Sequence, residues 1–232
     1  GGLEKFDVIM NYGDEGTAFT GGDFWKDPEI VSAVKSFVYN GGGFIGIGEP
    51  TSVRYQGKFF QLSDVLGVEE EKGNTALYLR YNTETKREHF ILADAEKEID
   101  YAGDRRNIYA KEGATILDAY YDDSLPAGSD NCNVRCAVNS FGKGRSFYMT
   151  GMRYNAENTR LLYRALLWTS GKENELYRAF STNVNTECRY YPESGKYAVA
   201  SNVGEKTETV FYDVNGKAEK LALAPFEIKW IG

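Results

Sequence analysis

The sequence predicts an α/β domain built on a parallel sheet, followed by a small antiparallel β-sandwich, with the boundary near residue 174. Three observations carry this. FDVIMNYG (6–13) and FIGIG (44–48) are short, nearly continuous apolar runs, as expected of strands covered on both faces. Between them DPEIVSAVKSFVYNGGG reads as a helix, so the three form a βαβ unit whose crossover is right-handed. After about residue 175 the pattern becomes short strands at even spacing, punctuated by turns.

The helix is signed at both ends. Asp27 caps it and Pro28 suits the first helical position. Ile30, Val34, Phe37 and Val38 form one apolar stripe, and Gly41 supplies a left-handed stop. The loop GDEGTAFTGGDFW (13–25) is too long and glycine-rich for a plain connection. GKFFQLSDVLGVEEEKG (57–73) reads as a short helix with a loop. From 74 to 121 the strand candidates are ALYLRY, HFILA and ATILDAYY, and GDRRNIYAKEG (103–113) reads as a solvated charged loop. RCAVNSFGKGRSFYMTGM (135–152) is a hairpin on a Phe-Gly-Lys-Gly turn. A helix from about Asn155 to Thr169 follows, with Leu161, Leu162, Ala165, Leu166 and Trp168 on its apolar side. CRYYPES, KYAVASNV, ETVFYDV, KAEKLALA and FEIKWI are the strands of the second domain.

Composition excludes several function classes. A net charge of −7 opposes nucleic-acid binding, which needs a basic face. No window approaches the ~20 apolar residues of a membrane span, and the start lacks a signal-peptide pattern. The chain opens on Gly1-Gly2 and not Met, which fits a processed product or a fragment. Three cysteines, Cys132, Cys136 and Cys188, have no framework spacing and read as buried free thiols of a reducing, cytoplasmic compartment. With His89 the sole histidine, a mixed Cys/His zinc site is hard to complete, and no metal is expected. No cofactor is expected either. GDEGTAFTGG lacks a phosphate-loop Lys-Ser/Thr, and the glycines of GGGFIGIGE precede a strand instead of joining strand to helix. The 17 tyrosines suit carbohydrate contacts, although Tyr is also a common half-buried strand residue.

The order strand, glycine loop, helix, glycine stop and strand, closed by FGKGRSFYMTG and a leucine-rich helix, resembles the class I glutamine-amidotransferase-like (flavodoxin-like) fold. That resemblance implies a nucleophile elbow at Gly46-Ile47-Gly48-Glu49-Pro50. The nucleophile position is then Gly48, which cannot perform covalent catalysis, and His89 lies far from the partner histidine's place.

NYGDEGTAFTGGDFW, FVYNGGGFIGIGEPT and the terminal PFEIKWI resemble the C-terminal half of the β-galactosyl-N-acetylhexosamine phosphorylases, glycoside hydrolase family 112. That family includes galacto-N-biose/lacto-N-biose phosphorylases and galactosyl-rhamnose phosphorylases. The resemblance implies a deformed (β/α)8 barrel ahead of an amidotransferase-like domain and a small β domain. It places the catalytic aspartate in the barrel, with most galactose and phosphate contacts. It also implies a strand and helix ahead of FDVIMNYG, so the chain begins inside that domain or is a shorter relative. The barrel is the expected partner, sugar and phosphate are met through it, and dimerisation is one way of supporting it.

Inverting glycosyl transfer to phosphate needs one carboxylic acid, which protonates the leaving oxygen. Asp14, Glu15 and Glu49 sit at strand C-terminal ends, where ligands of α/β sheets collect. Acidic residues in glycine-rich turns are more often turn formers. The expectation is therefore no catalytic residue, with Gly13, Asp14, Glu15, Gly16, Thr17, Gly48 and Glu49 forming a substrate-facing rim. Arg54 and Lys58 could pair with Glu49 or face solvent. Two rival readings are a stand-alone carbohydrate-binding or structural module and an independent hydrolase using Asp14 or Glu49.

Overall fold

A computed structural model describes residues 2–72, 85–95, 98–103, 107–121 and 132–232. The first unit runs β1 (Val8–Gly13), α1 (Pro28–Tyr39), β2 (Gly43–Gly48), β3 (Ser52–Tyr55), β4 (Lys58–Phe60), α2 (Ser63–Leu66) and β5 (Val68–Glu70). It continues through β6 (Ile108–Ala110), β7 (Thr115–Tyr121), β8 (Cys132–Phe141), β9 (Gly144–Met149) and α3 (Ala156–Thr169).

Its main sheet has the order β1-β2-β9-β8-β7. The first three strands are parallel. β8 joins β9 antiparallel, because the tight turn between them permits no crossover, and β7 pairs antiparallel with β8. The sheet is thus mixed, not wholly parallel. Side chains alternate between its faces. Phe44 and Tyr148 pack with Val34 and Val38 of α1 on one side. Ile45, Ile47, Phe147 and Met149 pack with Leu161 and Ala165 of α3 on the other. Both helices start on side-chain caps: Asp27 accepts from the Glu29 amide at 2.8 Å, and Asn155 from the Asn158 amide at 2.7 Å.

The second unit comprises β10 (Phe180–Ser181), β11 (Thr186–Tyr191), β12 (Lys196–Ser201), β13 (Thr207–Tyr212), β14 (Ala218–Leu223) and β15 (Ile228–Ile231). They form two antiparallel three-stranded sheets, β10-β13-β14 and β11-β12-β15. Tyr197, Val199, Phe211, Leu221 and Leu223 fill the core.

Several expectations from the sequence need correction. HFILA is not a strand: Phe90–Leu92 is a 3-10 turn, begun by His89, whose ring nitrogen accepts from the Ile91 amide. GDRRNIYAKEG is not wholly a solvated loop, since Ile108–Ala110 is buried and pairs antiparallel with Val68–Glu70. Residues 57–73 hold two strands as well as the short helix α2. ALYLRY lies outside the described residues. Leu166 is exposed, whereas Arg160 and Arg164 are buried on the same helix. Two of the free cysteines are buried, and Cys188 is half-buried.

Candidate functional site

The C-terminal ends of β1 and β2 meet in register, Gly13 opposite Gly48. The Glu49 amide donates to the Gly13 carbonyl at 2.8 Å, and the Tyr148 hydroxyl donates to the Gly48 carbonyl at 3.1 Å. Beyond Gly13 the chain folds on itself. The Asp14 carbonyl accepts from the hydroxyls of Thr17 at 2.7 Å and Thr20 at 2.9 Å. Thr20 is fully buried, and its own carbonyl accepts from the Trp25 indole. Asn11 joins the two sides: its amide nitrogen donates to the Phe19 carbonyl at 3.0 Å, and its oxygen accepts from the Thr51 amide at 2.6 Å.

This rim opens on a cleft of about 660 Å³. Tyr12, Gly13, Asp14, Thr17, Phe19 and Gly48 form one wall, and Tyr101–Gly103 with Thr150–Met152 form the other. Of the rim residues expected from the sequence, Gly13, Asp14, Thr17 and Gly48 line the cleft, and Glu15, Gly16 and Glu49 do not. Asp14 is the one carboxylate among the described residues that line it. Tyr12 is 44% and Phe19 78% exposed, which puts two aromatic side chains within reach of a ligand.

Glu49 points inward instead. Its carboxylate accepts from the Glu15 amide at 2.6 Å and meets the Lys72 ammonium at 2.7 Å, with 7% of the side chain exposed. Lys72 also reaches Glu70 at 2.8 Å. Burial depresses the Lys72 ammonium's affinity for its proton, but Glu49 and Glu70 more than offset this and hold it above the usual Lys range. Arg54 and Lys58 do not take that place; both are exposed beside a second cleft.

On the opposite wall the Tyr101 hydroxyl donates to Asp118 at 2.6 Å. Burial, then Cys136 and Asp118, push this phenol far above its ordinary value, so it stays neutral and serves as a donor. Tyr101, Thr150 and Met152 were not foreseen at the site. They come from segments about 90 to 140 residues from β1, and no local pattern links them to it. Among the described residues no three His, Cys, Asp or Glu side chains cluster as metal ligands, and no helix is long and apolar enough to cross a membrane.

Residues 1–174 match the lacto-N-biose phosphorylase central domain, and residues 180–231 match the lacto-N-biose phosphorylase C-terminal domain. The chain belongs to the lacto-N-biose phosphorylase family. A 1,3-beta-galactosyl-N-acetylhexosamine phosphorylase of Lachnoclostridium phytofermentans is 43% identical over 228 residues, 98% of this chain and 30% of that protein. The Bifidobacterium longum protein of the same name is 35% identical, with 97% of this chain and 33% of that protein covered. This member of the family therefore spans about 30% of the length of the curated relatives it matches. Among solved structures, a beta-galactosidase from Bacillus circulans sp. alkalophilus covers 98% of this chain with 33% of its own, at a TM-score of 0.52 and 15% identity. That likeness concerns the fold alone.

Proposed function

We propose that this chain is the non-catalytic C-terminal region of a β-galactoside phosphorylase of glycoside hydrolase family 112. The observation that supports this most is the match of both domains to one phosphorylase family, at under a third of its relatives' length. In this reading a barrel domain of the longer polypeptide carries the general acid. Phosphate attacks the anomeric carbon of a galactosyl-β1,3-N-acetylhexosamine, the glycosidic C–O bond breaks, and the acid protonates the leaving oxygen. The products are α-galactose 1-phosphate and the free sugar. The central domain keeps an amidotransferase-like frame whose nucleophile position is Gly48, and the rim with Tyr12, Asp14 and Phe19 shapes the edge of the sugar site. The enzyme works in the cytoplasm, as a homodimer, without a cofactor.

The test is an assay for galactose 1-phosphate from galacto-N-biose and phosphate. The longer polypeptide is expected to release it and this chain alone is not. Release by the chain alone would overturn the proposal. A second reading, a carbohydrate-binding module, draws on the aromatic wall of the cleft. Calorimetry of the isolated chain with galactose, N-acetylgalactosamine and N-acetylglucosamine separates the two, since only the module gives heat at millimolar sugar.

A further inference from the structure

We infer that Glu49 is a positioning residue, which sets the shape of the cleft by clasping the 14–20 loop. The inference rests on the reading of that cleft as a sugar-facing edge. Glu49 does not line the cleft, yet Asp14, Thr17 and Phe19 do, and all three sit on the loop that Glu49 holds. The clasp has two halves. One carboxylate oxygen accepts from the Glu15 amide at 2.6 Å, and the other meets the Lys72 ammonium at 2.7 Å. Charged acceptors of backbone N–H groups make the shorter and stronger hydrogen bonds.

Lys72 is itself anchored to the body of the domain. It pairs with Glu70 on β5 at 2.8 Å, and its ammonium stands 4.7 Å from the ring centre of Phe59 on β4. Phe59 belongs to the core packed between the sheet and α1. A continuous series of contacts therefore runs from the core through Lys72 and Glu49 to the Glu15 amide. From there it reaches the Asp14 carbonyl, on which the hydroxyls of Thr17 and Thr20 converge. The loop's own hydrogen bonds hold it as a compact knot, and the Glu49 clasp fixes where that knot sits against β2. A displacement of this loop moves Asp14 and Phe19 relative to Tyr101 and Thr150 across the cleft. Positioning errors of about 1 Å in a binding wall are enough to change binding.

The experiment uses the full-length protein carrying this chain, with Glu49→Gln, Glu49→Ala and Lys72→Met. Glutamine keeps an acceptor for the Glu15 amide and loses the ion pair; alanine loses both. Hydrogen exchange of peptides spanning 13–21 reads the clasp, with peptides of α3 as the fold control. Exchange in 13–21 is expected to rise at least tenfold in Glu49→Ala, less in Glu49→Gln, and in Lys72→Met as well, with α3 unchanged. KM for the disaccharide is expected to rise several-fold in the same order while kcat stays within about twofold. If exchange in 13–21 does not rise selectively, the clasp is wrong. If it rises and KM does not, the clasp stands but the cleft does not face substrate. A variant unfolded as a whole shows in α3, and the isosteric Glu49→Gln then decides.

Discussion

A Cβ on Gly48 would lie 2.6 Å from the carbonyl oxygen of Gly13, the residue opposite it on β1. Gly48 also has φ +83°, in the left-handed region. The carbonyl cannot retreat easily, because it already accepts from the Glu49 amide at 2.8 Å. Gly48→Ala is expected to destabilise by about 2–4 kcal/mol, combining left-handed strain with a backbone collision. Gly16 has φ +73° and open space around its Cβ position, so Gly16→Ala should cost only about 1 kcal/mol. Urea unfolding of both variants checks the difference, and equal losses would refute the collision argument. Cys or Ser at residue 48 should cost as much as Ala, since each carries the same Cβ into the Gly13 carbonyl.

Asn11 ties the 14–20 loop to the start of the β3 segment, through Phe19 and Thr51. Asn11→Ala leaves the Thr51 amide without its side-chain acceptor. A loss of about 1–3 kcal/mol is expected, measured by denaturant unfolding, with Asn11→Asp recovering part of it by keeping the acceptor oxygen.

Asp94 stands between two buried guanidiniums, 2.6 Å from Arg164 and 3.5 Å from Arg160. Arg160 also donates to the Ser181 carbonyl at 2.8 Å and so joins α3 to the second unit. Burial lowers the Arg160 proton affinity and Asp94 opposes this. Removing the shared anion leaves two like charges facing each other in a poor solvent. Asp94→Ala should therefore cost about 3–5 kcal/mol, well beyond a surface ion pair. Thermal unfolding is the measurement, and a loss under about 1 kcal/mol would mean the guanidiniums are already solvated.

Glu69 accepts from the Phe60 amide at 2.7 Å and the Glu70 amide at 3.0 Å, yet burial still raises its carboxyl above the ordinary value of 4.5. The folded state then holds a proton that the unfolded chain has released. Its contribution is fully present below the unfolded value and is lost as pH rises through the folded one. Glu69→Gln keeps an acceptor and removes the titration. Its melting temperature relative to the parent is expected to rise from pH 4.5 upward and then level off. A pH-independent difference would show that Glu69 does not titrate differently on folding.

Much of this protein was written locally. α1 and α3 begin on side-chain caps and follow apolar periodicity, and β8–β9 is a tight glycine turn between apolar flanks. Such signals need only neighbours in the chain. The tertiary structure decided the rest. Ile108 became a buried strand because Val68–Glu70 offered it an edge, although charged neighbours make its segment look solvated. Arg160 and Arg164 went inside because Asp94, some 70 residues earlier, supplies their counter-charge. Glu49 left the rim expected of it because Lys72 and the Glu15 amide satisfy its carboxylate. The sequence by itself determined α1, α3 and the β8–β9 hairpin. Which polar groups are buried, and which face a cleft, depends on partners brought together through space, since a charge enters the interior only where its compensation is already in place.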